Sequence, residues 1–550
     1  MIRVSTSMIF NAGVKAINTQ TAALLHLQQQ VASGRRILTP ADDPVGAARA
    51  LEVTQAKDVT AQYSINHDNA KSALGLEEVQ LTSVNNIMAR LKELTVQAGN
   101  STLSASDRRG IAFELRARFD EFLGIANATD GTGQFIFSGY MGSTKPFGAS
   151  VDAMISNPAL EVDYQGDDGQ RRLQVSPTRF LEISDSGNDV FNRIKTGNGY
   201  FATDYAGGNT GTGVIDAGNV GNPALWAAVP AAAKQNVEVR FWQDSGVIGS
   251  AVIGAPTTLT TGVDNEFMIS VAGAPAVTVT LPPGVYANAA ELATAMQTVV
   301  DMALGVSPPA TGSAVASADA GGHLMLQSAT GQTITISEVT GNTGLATMFG
   351  TPVAGSGATY YDLVDVTGNV SLLTGAVATA SFPGPAGLRR YYDGQAIAFN
   401  GLVGATADYG ISVTVTGNPA TGDSFSLAPS TSQSLFRTLA NLIGALEGST
   451  VGPGSQAKFA NEIGFALTNL DQANDNILRV RAAIGSRLSE VDSLSDVNQD
   501  LQLQYQQTLS NLQDLDYAKA ISDLTRKQTD LEAAQKSFMR VSQLSLFNYL

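Results

Sequence analysis

Between Leu470 and Leu515 the chain repeats itself chemically every seven residues. Leu470, Ile477, Ile484, Val491, Asn498, Tyr505 and Leu512 form one row. Ala473, Val480, Arg487, Leu494, Leu501, Thr508 and Leu515 form a second. Two mostly apolar rows three residues apart are the seam of a long helix in coiled-coil packing. An amphipathic helix of a globular bundle is the alternative, but a period sustained this long favours a rod. The phase breaks at SNLQDLDYA, where Asp516 can cap a new helix carrying Tyr517, Ile521, Leu524, Leu531, Phe538 and Val541.

The other end has the same texture. Phe10, Ile17, Leu24 and Val31 recur every seven residues, and Val14 and Leu27 fill the same stripe. Gly34 suits the left-handed conformation that ends a helix. Asp43 before Pro44 reads as an N-cap followed by a residue pre-set for the first turn, so a second helix is expected over about 44–98. Ser104 with Asp107 resembles a capping box, opening a helix with Ile111, Leu115, Phe119, Phe122 and Ala126 on one face.

The middle is different. FMISVAGAPAVTVTLPPG (267–284), HLMLQSATGQTITISEV (323–339) and GISVTVTGNPATGDSFSLAP (410–429) read as strands with turns, and 287–304 as a helix between the first two. DYQGDDGQ (163–170) reads as a hairpin turn rather than a calcium loop, since it lacks EF-hand spacing. The expected class is α+β and multidomain: a helical rod formed by both ends, with a β-rich inserted outer region. The segments are 1–42 (terminal helix and spoke), 43–147 (rod helices), 148–429 (insert, of more than one subdomain), 430–513 (rod helices) and 514–550 (terminal helix).

The formal charge of −16 is concentrated in the middle, where 148–429 carries 9 Lys/Arg against 23 Asp/Glu. No basic footprint for nucleic acid exists, and the acidic excess marks a solvated outer surface. No run is long and apolar enough to insert in a membrane, and MIRVSTSMIFNAG has no apolar core region, so a cleavable secretory leader is not expected. There is no cysteine, which excludes disulfides, thiolate metal sites and cysteine nucleophiles. His26, His67 and His323 lack ligand spacing, and His26 reads as a polar packing or surface residue. No phosphate loop, dinucleotide fingerprint or nucleophile elbow occurs in a usable context. Neither an enzyme nor a cofactor is expected.

Several segments together resemble the flagellin superfamily, in its hook–filament junction branch. MIRVSTSMIFN, ASGRRILTPADDPVGAAR (32–49) and GQFIFSGYMGSTKPF (133–147) resemble its N-terminal region. RVRAAIGSRLSEVDSL (479–494) and the stretch 514–550, ending SLFNYL, resemble its C-terminal region. In the middle, the 264–300 stretch with 323–339 is similar to a small repeat found in variable domains of flagellar axial proteins. The resemblance implies a structural subunit joining hook to filament, needed for motility and located on the flagellum outside the cell. It implies passage through the type III export apparatus with an export chaperone. The partners it implies are further copies of this chain, hook-associated protein 1 and flagellin. A flagellin-type filament subunit and a surface adhesin on flagellin-like ends are the alternatives. Subunit contacts are expected at Phe10, Ile17, Leu24, Arg35, Arg36, Asp42, Asp43, Leu524, Leu531, Phe538, Val541 and Leu546. The terminal helices lack a full core of their own, so they are expected to order when stacked against neighbours.

Overall fold

Apolar residues at helical spacing form helices wherever a cap defines their start. The computed structural model describes residues 6–543 apart from 149, 244–245, 306–313, 319–321, 329–332, 355–358, 379–387, 405 and 449–451. Its longer helices are α1 (Thr6–Ser33), α2 (Pro44–Ala98), α3 (Ala105–Ala126), α4 (Ala289–Ala303), α5 (Leu435–Glu447), α6 (Pro453–Gln513) and α7 (Tyr517–Gln543). Gly34 takes φ +69° and ends α1. Asp43 accepts from Gly46 N at 2.9 Å and so caps α2. The Ser104–Asp107 capping box is complete, with Asp107 N donating to Ser104 Oγ and Ser104 N to Asp107 Oδ2.

The chain divides into two compact units, and α2 and α6 each contribute to both. The first comprises Met1–Glu78, Gln170–Ser184 and Ala482–Leu550. Val491 and Asn498 of the α6 seam are buried here, and Asn498 Nδ2 donates to Thr60 O of α2 at 2.9 Å. Beyond Asn498 the seam opens: Leu501 is exposed, and Tyr505 and Leu512 are only half-buried. The heptad pattern continues where burial does not. A two-stranded hairpin, Arg172–Ser176 with Arg179–Glu182, turns at Pro177 within this unit. Asn66 Nδ2 donates to Gln174 O (2.7 Å) and His67 Nε2 to Val175 O (2.8 Å), while Arg179 grips Glu490 with two bonds of 2.6 and 2.8 Å. Residues 170–184, read from sequence as part of the insert, thus fold with the terminal segments.

The second unit comprises Val79–Gly169 and Asp185–Arg481. Its helical part buries Leu81, Val84, Met88 and Leu91 of α2 with Leu470, Ala473 and Ile477 of α6. Phe119 and Phe122 of α3 meet Phe436 of α5 at 5.6 and 4.7 Å between ring centroids. Phe137 and Phe147, from the GQFIFSGY motif and its sequel, reach the same cluster through Phe191 at 5.1 and 5.7 Å. That motif is a packing element, since both phenylalanines are fully buried. The DYQGDDGQ stretch is no hairpin turn. Asp163–Tyr164 pair backward with Phe147–Gly148, and Asp167 Oδ1 accepts from Tyr140 N and Gly169 N. Asp168 accepts from Asn188 and Arg193. The carboxylates bind across the fold, so no free turn remains.

The β-rich part of this unit has two cores. In the first, a mixed-length sheet runs Val370–Ser371, Thr359–Asp365, Val237–Gln243, Ser424–Pro429, Phe201–Tyr205, all antiparallel. It faces a second sheet built on Asp408–Thr416, where Tyr409, Ile411, Val413 and Val415 alternate inward. Phe241 meets Tyr391 and Phe425 edge to face in the core between them. Asn461 of α6 anchors this sandwich by accepting from Ile215 N at 2.8 Å. The second core lies within 247–354, where strands pack on α4 through Leu292, Ala293, Met296 and Val300. These residues leave the first core between Gln243 and Thr359, which are directly paired across adjacent strands.

Candidate assembly surface

A 13-residue helix such as α5 buries Leu435, Phe436, Leu439, Leu442, Ile443 and Leu446. The terminal helices do nothing comparable. Among the described side chains of α1 and α7, Ala520 alone is buried. The two helices pair with each other, and Phe10 meets Phe538 at 5.1 Å between centroids. Ile17, Leu24, Leu524, Leu531 and Phe538 are half-buried along this pair, whereas Phe10 is 52% exposed. Met8, Leu25, Ile521 and Met539 are exposed as well. A Cβ at Gly13 would stand 2.6 Å from the Phe538 ring, so glycine sets how closely the helices approach. Helices draw most of their stability from burying an apolar face, and this pair leaves much of that face uncovered. Val541 lies in α7, but its side chain and all of Leu546 fall outside the described residues.

The spoke between α1 and α2 is held by the linker between α6 and α7. Gly34 O accepts from Leu515 N (2.9 Å), and Arg36 N donates to Gln513 O (2.7 Å). The Arg36 guanidinium donates to Leu512 O (2.8 Å) and reaches Asp43 Oδ2 at 3.3 Å. Asp42 Oδ2 accepts from Leu38 N and Thr39 N, and its Oδ1 lies 2.9 Å from His26 Nε2. Backbone N–H groups, of Thr39 for Asp42 and Gly46 for Asp43, hold both carboxyls below the ordinary aspartate range. Arg36, Asp42 and Asp43 therefore all have partners within the chain. Arg35 differs: its side chain is exposed and, among the described residues, meets no carboxylate. His26, read as a packing or surface residue, is a partner of Asp42.

Sequence reasoning missed one further apolar face in the first unit. Val59 and Tyr63 of α2, Pro177 of the hairpin, and Val497, Leu501 and Tyr505 of α6 line a groove of about 410 Å³. Along α2, Val45 (68% exposed), Leu51 (70%) and Ile65 are open to solvent, as is Leu503 of α6 (65%). The signal lies in the heptad seam, which places Tyr505 in the row of buried Val491 and Leu501 in the second row. What the arrangement offers chemically is apolar area and the guanidinium of Arg35. Among the described residues no cluster of His, Asp and Glu could hold a metal ion.

Residues 4–141 match the bacterial flagellin N-terminal helical region. Flagellar hook-associated protein 3 of Salmonella typhimurium is 32% identical over 193 residues, 35% of this chain and 58% of that protein. The match thus spans little more than half of the relative's length. Phase 1 flagellin of Salmonella naestved is also 32% identical, over 122 residues, 22% of this chain and 24% of the flagellin. The crystal structure of flagellar hook-associated protein 3 from Legionella pneumophila has a TM-score of 0.53 at 22% identity, covering 84% of this chain and 98% of that one. That likeness establishes a common fold. The flagellin likeness is thus carried by residues 4–141, and over the longer matched stretch it runs to hook-associated protein 3.

Proposed function

We propose that the chain is a structural, non-catalytic subunit of the bacterial flagellum that joins hook to filament. It reaches its place outside the cell through type III export, carried to the export apparatus by a chaperone. Copies of the chain stack on one another there, with hook-associated protein 1 on one side and flagellin on the other. The observation that carries this reading is the α1–α7 pair, a run of helix with one buried residue among its described side chains. A surface of that kind is completed by neighbours, and heterologous contacts repeated around an axis build a tube. Phe10, Ile17, Leu24, Leu524, Leu531 and Phe538, with Val541 and Leu546, supply the apolar contacts, and Arg35 a charged one. Arg36, Asp42 and Asp43 shape the spoke from which Arg35 projects.

The filament-subunit reading has one observation in its favour: flagellin matches at the same 32% identity, though over fewer residues. Deleting the gene separates the two. A junction subunit's loss leaves hooks in place and sheds flagellin monomer into the medium, whereas loss of a filament subunit removes that monomer. Electron microscopy with a label on 148–429 gives a second test, since a short band at the hook–filament boundary supports the junction and labelling along the filament overturns it.

A further inference from the structure

The sequence contains two Asn-Gly pairs, Asn198-Gly199 and Asn400-Gly401. In such a pair the glycine nitrogen can attack the asparagine side-chain carbonyl, because no Cβ on the glycine obstructs ring closure. Both glycines take positive φ, +86° at Gly199 and +59° at Gly401, but the sites differ in the hydrogen bonds that govern this attack. Asn198 is clamped: its Oδ1 accepts from Tyr200 N and Phe201 N, and its Nδ2 donates to Ala217 O and Gly218 O. The would-be nucleophile is engaged as well, since Gly199 N donates to Thr196 O at 3.2 Å.

Asn400 is the opposite case. It ends the strand Ala396–Asn400, is exposed, and is followed by Gly401 at φ +59°. Among the described residues, neither the Gly401 N–H nor the Asn400 amide NH₂ has an acceptor. The Asn400 carbonyl oxygen, by contrast, has a cation: Arg389 Nη1 donates to Oδ1 at 3.4 Å. The same guanidinium is fixed by Ala398 O at 2.9 Å and by the backbone carbonyl of Asn400. A cation held at the oxygen where negative charge develops stabilises the tetrahedral intermediate of attack at that carbon.

We infer that Asn400 is a site of self-catalysed modification, converted to aspartate and isoaspartate through a succinimide, with Arg389 as the electrostatic support. The Gly401 nitrogen loses its proton to solvent and forms a bond to Asn400 Cγ, and the electron pair of the carbonyl moves to Oδ1 beside Arg389. The Cγ–Nδ2 bond then breaks, and nitrogen leaves as ammonia after taking up a proton. Water adds to either carbonyl of the ring, so one water is consumed and one ammonia released. Opening one way gives an ordinary aspartate, whose carboxylate stands against Arg389 as an ion pair. Opening the other way lengthens the backbone by one carbon, at a residue paired with Asp408 and two positions before buried Leu402. The first sandwich core is thereby altered at its rim without any enzyme, and the inference is independent of the assembly reading.

The test is made on the full folded chain, incubated in mildly alkaline buffer and sampled over time. Tryptic cleavage after Lys195 and Arg390 places the two asparagines on separate peptides, where mass spectrometry locates the amide-to-acid conversion. Isoaspartate methyltransferase counts the rearranged product. The folded chain is expected to convert Asn400 about tenfold faster than Asn198, the difference that one or two retained hydrogen bonds at Asn198 make. In denatured chain the two rates should converge. Equal rates in the folded chain, or faster loss of Asn198, would overturn the inference. Arg389→Gln isolates the guanidinium: with the fold intact by circular dichroism, Asn400 conversion should slow severalfold, and an unchanged rate removes Arg389 from the chemistry.

Discussion

Arg35 and Arg36 are adjacent and chemically identical, yet the fold gives them different work. Arg36 ties the spoke to Leu512 O and Asp43, whereas Arg35 projects with no carboxylate partner among the described residues. Arg35→Glu should leave the thermal unfolding of the free chain unchanged and impair assembly and motility. Arg36→Glu, or Asp43→Ala, should lower stability first; losing the Asp43 cap alone costs about 1 kcal/mol. Equal melting curves for both reversals would contradict this division. Asp362 presents a different residue-scale effect. Its Oδ1 accepts from Ser371 Oγ at 2.6 Å, and Oδ2 is buried without a partner among the described residues. Burial pushes its pKa up, against the opposing pull of Ser371. A raised folded pKa contributes stability that is fully present below the unfolded value near 3.8 and lost as pH rises through the folded one. The melting temperature of the wild type should therefore fall as pH rises through that window, and Asp362→Asn should flatten the profile. Parallel profiles would show that the carboxyl titrates alike in the folded and unfolded chain.

At the scale of elements, α1 and α7 should be the weak members. Their amides should exchange with opening free energies about 3 kcal/mol or more below those of α3 and α5, because burial rather than helix propensity sets protection. Protease-resistant termini in the free chain would refute this, as would equal exchange. Gly34→Ala tests the joint between α1 and α7. It forces a Cβ into the left-handed region, at roughly 1–2 kcal/mol, and sets that atom 2.8 Å from Tyr517 Oη. The loss should appear in α1 and α7 exchange while the main unfolding transition stays put. The same elements mark what the sequence could reveal. Gly34, Asp43-Pro44 and the Ser104 box marked helix ends because capping is local chemistry within four residues. Strand partners were not readable. His323–Ser328 and Ile334–Ser337 follow one another yet join different sheets, as do Asp408–Thr416 and Ser424–Pro429. Pairing depends on residues distant in sequence, such as Val237–Gln243 with Thr359–Asp365. The charges of the spoke were equally ambiguous. A run of Arg and Asp states that ion pairs will form, but the backbone path decides that Arg36 meets Asp43 while Arg35 meets no described carboxylate.

At the scale of the molecule, the acidic middle turns out to be nested. Residues 247–354 have their own core, around Phe267, Leu292, Leu326 and Phe349. They contain no lysine or arginine, so they add only negative charge to the insert. The chain enters and leaves this region at Gln243 and Thr359, which face each other in one antiparallel pair. Such a pair can be closed by a two-residue Asn-Gly turn, whose twist matches that of the flanking strands. Replacing residues 244–358 by Asn-Gly should thus leave the first sandwich core intact, because Val239, Phe241, Tyr361 and Leu363 keep their partners. Loops are entropically cheap to shorten or lengthen when their ends are already fixed. The shortened chain should fold cooperatively, keep the near-ultraviolet signal of Trp226 in that core, and restore motility to a strain lacking the full chain. Failure to fold would mean that the outer core supports the inner one. Folding without motility would assign the outer core a contact in assembly that the α1–α7 surface does not supply.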